Sequence, residues 1–260
     1  MTATYTLHRG TVPLLISLPH DGSHIPDDIA ASMRPNAQRS VDTDWHVGRL
    51  YEPLVKALGA SVIRPAASRY VVDLNRPADG QALYPGKRET GLVSTIGFDG
   101  EPLYLDGDEP TAEEMQRRVN VYWRPYHEAL SQELERLRAQ HGRVVLWDGH
   151  SIRSHVPMLF EGQLPDFNLG TADGTSCSAA LQEQLREALE AQSRYSFVVN
   201  GRFKGGYITR HYGQPAEGVQ AVQLELSQLN YMDEDSFAYA DERAVRVQET
   251  IARLLALCIA

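Results

Sequence analysis

The chain has 260 residues, a formal net charge of −9, 42% hydrophobic and 23% charged residues. That length suits one α/β domain and is enough to bury most of its apolar surface. The acidic balance excludes the basic face a nucleic-acid binder needs, but not an anionic small molecule held by a local arginine cluster.

Residues 12–18 (VPLLISL) read as a buried strand. From 44 to 58 apolar residues recur at helical spacing, and Gly59 supplies a C-terminal stop. Residues 60–63 and 70–74 read as strands. Residues 81–109, rich in glycine, proline and acids, form a long excursion of the kind that usually carries function. Thr111, with Glu114 three residues on, makes a capping box for a helix running to 140, which Pro125 should kink or break. Residues 144–147 (VVLW) are the next strand, and they empty into Asp148, Gly149, His150 and Ser151. Asp-Gly alone would make that turn, so the histidine is surplus to it. A helix over 178–191, a short strand at 197–199, a strand over 219–226 (VQAVQLEL) and an amphipathic helix over 237–259 follow. Strands alternating with helices, with no linker between them, predict a single α/β domain: a mostly parallel or mixed central sheet flanked by helices.

In such sheets ligands sit at the carboxyl ends of strands. Here those ends carry His20, Asn75 with Arg76, His150 and Glu225. Two histidines and a carboxylate, with a fourth position open, are the ligand set of a catalytic zinc. His20 and His150 are the expected histidine ligands, Pro19 and Gly22 stiffening and tightening the loop around the first. The third ligand is expected from residues 42–46 (DTDWH). Asp44 is preferred, Asp42 and His46 stay open, and the bland alternative is an aspartate that only caps the helix. Asp148 is placed to hold a histidine from behind. Glu225 has apolar neighbours in VQLEL, which should raise its pKa and fit it for a general base; a buried ion pair is the alternative.

Arg69 and Arg76, then Arg202, Lys204 and Arg210 among the glycines of 200–213, point to a substrate bearing carboxylates, against the alternative of structural ion pairs. No Walker or dinucleotide glycine motif and no GxSxG elbow is present. Cys177 and Cys258 lie near no histidine motif and read as idle thiols in a reducing cytoplasm. No signal-peptide pattern opens the chain and no apolar run approaches the ~20 residues of a membrane span. The expected protein is cytoplasmic, with no membrane and no nucleic acid among its partners.

Five motifs in order, SLPHDGSHIP, DTDWHVGRLY, SRYVVDLNRP, LWDGHSI and NGRFKGGYITRHYG, resemble the N-formylglutamate amidohydrolase family, the deformylases of histidine degradation. The resemblance covers residues 14–234, most of the chain. It implies a zinc-carboxypeptidase-like fold, Zn2+ on His20, His150 and a carboxylate, Glu225 as the base, and hydrolysis of N-formyl-L-glutamate to formate and L-glutamate. The DLNR at 73–76 resembles the aspartoacylase substrate-binding motif. Asn75 and Arg76 would then grip one carboxylate, and Arg202 or Arg210 the other. One departure stands out: the related enzymes usually place a glutamate three residues after the first histidine, where this chain has Ser23. The third ligand must come from elsewhere, hence Asp44. Two competing readings remain, a hydrolase for a larger acyl group on an acidic amino acid and an inactive metal or carboxylate binder. Space near the metal separates the first; retention of Glu225 argues against the second. The native metal could also be manganese, cobalt or iron. Oligomeric state is not legible in the sequence.

Overall fold

In the computed structural model, which describes residues 3–83 and 89–260, seven strands make one sheet. They are β1 (Tyr5–His8), β2 (Leu14–Ser17), β3 (Ser61–Pro65), β4 (Val144–Ile152), β5 (Phe167–Gly170), β6 (Phe197–Val199) and β7 (Val219–Ser227). Their order is β1-β3-β2-β4-β7-β5-β6. The middle four, β3, β2, β4 and β7, are parallel; β1 joins β3 antiparallel, and β5 joins β7 antiparallel. The helices are α1 (Asp27–Ala30), α2 (Val47–Leu58), α3 (Ala112–Arg118), α4 (Arg124–His141), α5 (Ala179–Glu190), α6 (Tyr207–Tyr212) and α7 (Asp241–Ile259). Among the described residues no helix is long and apolar enough to cross a membrane.

The central strands are buried on both faces, so their side chains divide by parity between two cores. Leu14, Ile16, Val145, Trp147, Val222 and Leu224 pack with α2, α5 and α7. Leu15, Val144, Leu146 and Ala221 pack with α4. The period of two carries on past the apolar cluster. Asp148 and His150 on β4, and Gln223 and Glu225 on β7, follow Leu146 and Ala221 on that second face, at the carboxyl ends of the strands. Register pairs Asp148 with Gln223 and His150 with Glu225.

This corrects the sequence reading of β4. The strand does not stop at Trp147; it runs through Asp148, Gly149 and His150 to Ile152, every residue buried. Residues 70–74 are not a strand but turns and irregular backbone. They are apolar because the segment threads between two cores, Val71 facing one and Val72 the other, and not because they pair in a sheet. The helix expected from Asp44 begins at Val47, with His46 at its head in the left-handed region (φ 63°). The short strands β1 and β5 and the helix α6 were not read from sequence; α6 sits inside what looked like a glycine-rich loop. The cap at Thr111 forms, its side chain accepting from the Glu114 N–H, but the box does not close, because the Glu114 carboxylate takes Arg117 and Arg118 instead. The helix after it does not break at Pro125. It widens into a π-helical turn, Val119–Trp123, and Pro125 follows directly as the second residue of α4. Part of the long excursion, residues 84–88, lies outside the described residues.

Candidate active site

His20 and His150 turn their Nδ1 atoms toward each other, 3.2 Å apart. Asp44 completes the cluster, Oδ2 standing 3.2 Å from His150 Nδ1 and Oδ1 3.8 Å from His20 Nδ1. All three residues are buried, and one ligand atom from each lies within 4.8 Å of the others. Donors about 2.0–2.2 Å from a tetrahedral ion stand roughly 3.3–3.6 Å apart, so the spacing fits one divalent metal. A second observation agrees: Asp44 Oδ1 is buried with no hydrogen-bond partner among the described residues, an acceptor that a cation would satisfy. Asp44 reaches this point because its own N–H donates to the His20 carbonyl at 3.0 Å, while Oδ2 accepts the Ser151 N–H at 3.0 Å. It caps nothing; the Gly48 N–H at the head of α2 goes to Asp21 instead.

The far nitrogens of both rings are held. His20 Nε2 lies 2.7 Å from Asp73 Oδ1, and His150 Nε2 lies 3.1 Å from Asp148 Oδ1. A carboxylate accepts only, so at His20 the Nε2 carries the proton and Nδ1 presents a lone pair to the metal point. Burial alone would raise the Asp73 carboxyl; His20 and Arg69 outweigh it and hold it well below the usual carboxylate value. Burial, the largest influence, likewise works against ionisation of Asp44, and the two histidines beside it together with Arg69 prevail. Burial and the Arg69 charge push His20 down, keeping it neutral as a ligand must be.

Glu225 stands beside His150 in register, 8% exposed, and burial drives its pKa up to about 8, opposed by His150 and assisted by Asp44. The cleft it lines is shared by His20, His150, Arg69, Arg76 and Arg202, with an apolar wall of Phe98, Ile152, Leu159 and Phe203. Arg69 donates to Asp73 Oδ2 at 2.9 Å and stacks 4.9 Å above the Phe98 ring. Arg76 pairs with Glu89 at 3.1 Å, and the Arg202 Nε donates to the Leu159 carbonyl. The long excursion thus does reach the cleft, through Glu89, Thr90 and Phe98.

Two expected residues are placed differently, and two open alternatives close. Arg210 lies on α6 and does not line the cleft; its Nε donates to the Gly205 carbonyl. Asn75 lines the cleft, but its amide is committed: Oδ1 accepts the Ile208 N–H at 2.8 Å, and Nδ2 lies 2.8 Å from His150 Nε2 and 3.3 Å from Asp148 Oδ2. That amide braces His150. Gly206 makes room for it, since a Cβ there would meet the amide at 2.3 Å. Asp42 accepts the Phe98 N–H, and His46 Nε2 faces the Phe237 carbonyl, so neither joins the metal cluster. Ser23 is exposed. Sequence reasoning also missed Asp73 as the partner of His20. Its signal was local, an aspartate inside DLNR four residues after Arg69.

A histidine–carboxylate cluster at the carboxyl ends of parallel strands, next to an acid that holds its proton near neutrality, is the equipment of a hydrolytic α/β enzyme and exceeds what a passive binder needs. Residues 12–232 match the family model of the N-formylglutamate amidohydrolases, and the chain belongs to that family. It is 51% identical to the N-formylglutamate deformylase of Pseudomonas aeruginosa, over 98% of this chain and 96% of that protein. To the N-formylglutamate deformylase of Pseudomonas putida it is 48% identical, over 100% of this chain and 97% of the other. Among solved structures, the N-formylglutamate amidohydrolase from Ralstonia eutropha JMP134 matches with a TM-score of 0.81 at 28% identity, covering 98% of this chain and 97% of its own. A gene product of Agrobacterium tumefaciens shares the fold, with a TM-score of 0.72 at 16% identity over 97% and 95% of the two chains.

Proposed function

We propose that this chain hydrolyses N-formyl-L-glutamate to formate and L-glutamate. The observation that carries the reading is its likeness, near half identity over the whole length, to two N-formylglutamate deformylases. The cleft supports it. His20, Asp44 and His150 would hold a divalent metal, zinc by the nitrogen–oxygen donor set, which supplies the Lewis acidity that makes water a nucleophile at neutral pH. Glu225, in its ionised form, accepts a proton from the attacking water and delivers it to the glutamate nitrogen as the C–N bond breaks. Arg76 and Arg202 enter the cleft from different segments and hold the two carboxylates of the substrate. Arg69, tied to Asp73 and close to Asp44, keeps the neighbouring carboxylates ionised. The wall of Phe98, Ile152, Leu159 and Phe203 suits a formyl group, which brings no charge of its own. The partner is therefore a small dianion. Cys177 and Cys258 are both free and buried, which suits a reducing cytoplasm, where the reaction would close a route of histidine breakdown.

The test measures bound metal per chain and formate released from N-formyl-L-glutamate on one sample, before and after chelation. Metal present, with release lost on chelation and restored by zinc, is the expected result. Metal without release would redirect the reading to larger N-acyl groups on glutamate or aspartate. Release that survives removal of the metal would sink the mechanism.

A further inference from the structure

The loop carrying Asp73, Asn75 and Arg76 exposes three consecutive carbonyls, and each meets a donor outside any strand. His127 Nε2 lies 2.9 Å from the Leu74 oxygen. The Tyr207 N–H donates to the Asn75 oxygen at 3.2 Å. The Trp123 indole N–H donates to the Arg76 oxygen at 2.9 Å. Two of these donors are side chains four residues apart on one helical stretch, and their rings stack with centroids 3.8 Å apart. Tyr212 of α6 stacks on His127, its hydroxyl 3.0 Å from Nδ1. A carbonyl only accepts, so Nε2 carries the proton and Nδ1 accepts from Tyr212.

The helix is built to make this contact. Its π-helical turn, Val119–Trp123, ends on Trp123 itself. Such insertions re-aim the side chains around them and recur at functional sites. Neither Trp123 nor His127 lines the cleft.

We infer that Trp123 and His127 are positioning residues, which hold the Leu74 and Arg76 carbonyls and thereby fix where the Arg76 guanidinium stands in the cleft. The inference rests on the reading above that Arg76 grips a substrate carboxylate. Arginine has a long, rotamer-rich side chain, and a clamp on its backbone removes part of the freedom that binding would otherwise have to freeze.

Trp123→Phe keeps the ring stack and removes the N–H. The KM for N-formyl-L-glutamate should rise roughly 5- to 15-fold, the size of one hydrogen bond, with kcat and metal content close to wild type. His127→Gln, which retains a donor for the Leu74 oxygen, should stay nearer wild type than His127→Leu. The decisive measurement is the cycle of Trp123→Phe, Arg76→Lys and the double variant, read on KM and on L-glutamate binding by calorimetry. A positioning role makes the two changes non-additive, the indole change adding little once Arg76 is altered. Full additivity, or an unmoved KM in folded Trp123→Phe, would overturn the inference and leave the reaction standing. A wild-type protein that binds L-glutamate but releases no formate would overturn the reaction, and the cycle would still be read on binding. Neither release nor binding by the wild type would overturn both.

Discussion

At the scale of single residues, the candidate site works by tautomer control. The buried carboxylate of Asp73 accepts from the Nε2–H of His20, and this aims the His20 Nδ1 lone pair at the point that His150 Nδ1 also faces. Asp44 is the third group at that point, whereas Asp42 is spent on the Phe98 backbone. Asp44→Asn should therefore lose bound metal on gel filtration, while Asp42→Asn should keep it; the reverse pattern, read by metal analysis, would move the third ligand. Glu225→Gln removes the proton acceptor and keeps the volume. Its kcat should fall by about 10²–10⁴, the usual contribution of a general base, with metal content unchanged, and activity near wild type would end the assignment. The histidines were legible from residue type at strand ends. Asn75 was not, because a motif states which amide is present but not which way it points. Its direction is decided by Ile208, whose N–H comes from a helix 133 positions away in the chain.

At the scale of elements, the misread piece is the most instructive. Asp148-Gly149-His150 has the composition of a turn, and local chemistry alone ends the strand at Trp147. Tertiary structure overrides it. Asp148 is affordable inside a strand because Thr209 donates to it at 3.1 Å, Asn75 at 3.3 Å, and His150 faces it. Gly149 points to the opposite face, and a Cβ there would stand 2.7 Å from Leu18 and 3.3 Å from Tyr51. The glycine is thus a packing residue that lets Tyr51 reach the Trp147 indole N–H, 2.8 Å away. Gly149→Ala should cost about 1–3 kcal/mol of unfolding free energy by overpacking, measured by urea denaturation. A neutral or stabilising result would mean that the turn reading was nearer the truth than the strand. The same logic limits what else could be read. Strand existence was legible wherever apolar runs were long, as in 12–18 and 219–226, and lost where strands are four residues or fewer and alternate in burial, as in β1. The turns over 70–74 failed in the other direction, since apolar residues that fill two cores look like a strand.

At the scale of the whole molecule, a chain of net charge −9 keeps three arginines at one cleft, so affinity for an anion is a local property that the global charge conceals. The same separation governs stability against acid. His127 is buried between α4 and the loop over 73–76, and burial, assisted by the His211 charge and opposed by the Leu74 carbonyl, lowers its pKa from 6.5 to about 3. In the unfolded chain it titrates at the ordinary value. Between these two values the unfolded state binds one more proton than the folded state, so stability falls as pH falls, by about 1.4 kcal/mol per pH unit where the difference is complete. Above about pH 6.5 this cost vanishes. Glu225 has the opposite sign: burial raises it from 4.5 to about 8, so its contribution weakens the fold as pH rises through that window. Glu114 enters only lower, its pKa drawn from 4.5 to about 2 chiefly by the hydrogen bond from Arg117. Comparing wild type with His127→Leu between pH 7 and pH 5 isolates the histidine, because every other group, and any loss of metal, is common to both. Urea-derived stability of the wild type should fall more steeply with acid than that of the variant, although the variant starts lower for want of its hydrogen bond. Parallel slopes would mean that His127 takes up its proton over the same pH range in the folded as in the unfolded chain, so that its burial exerts no pull on stability.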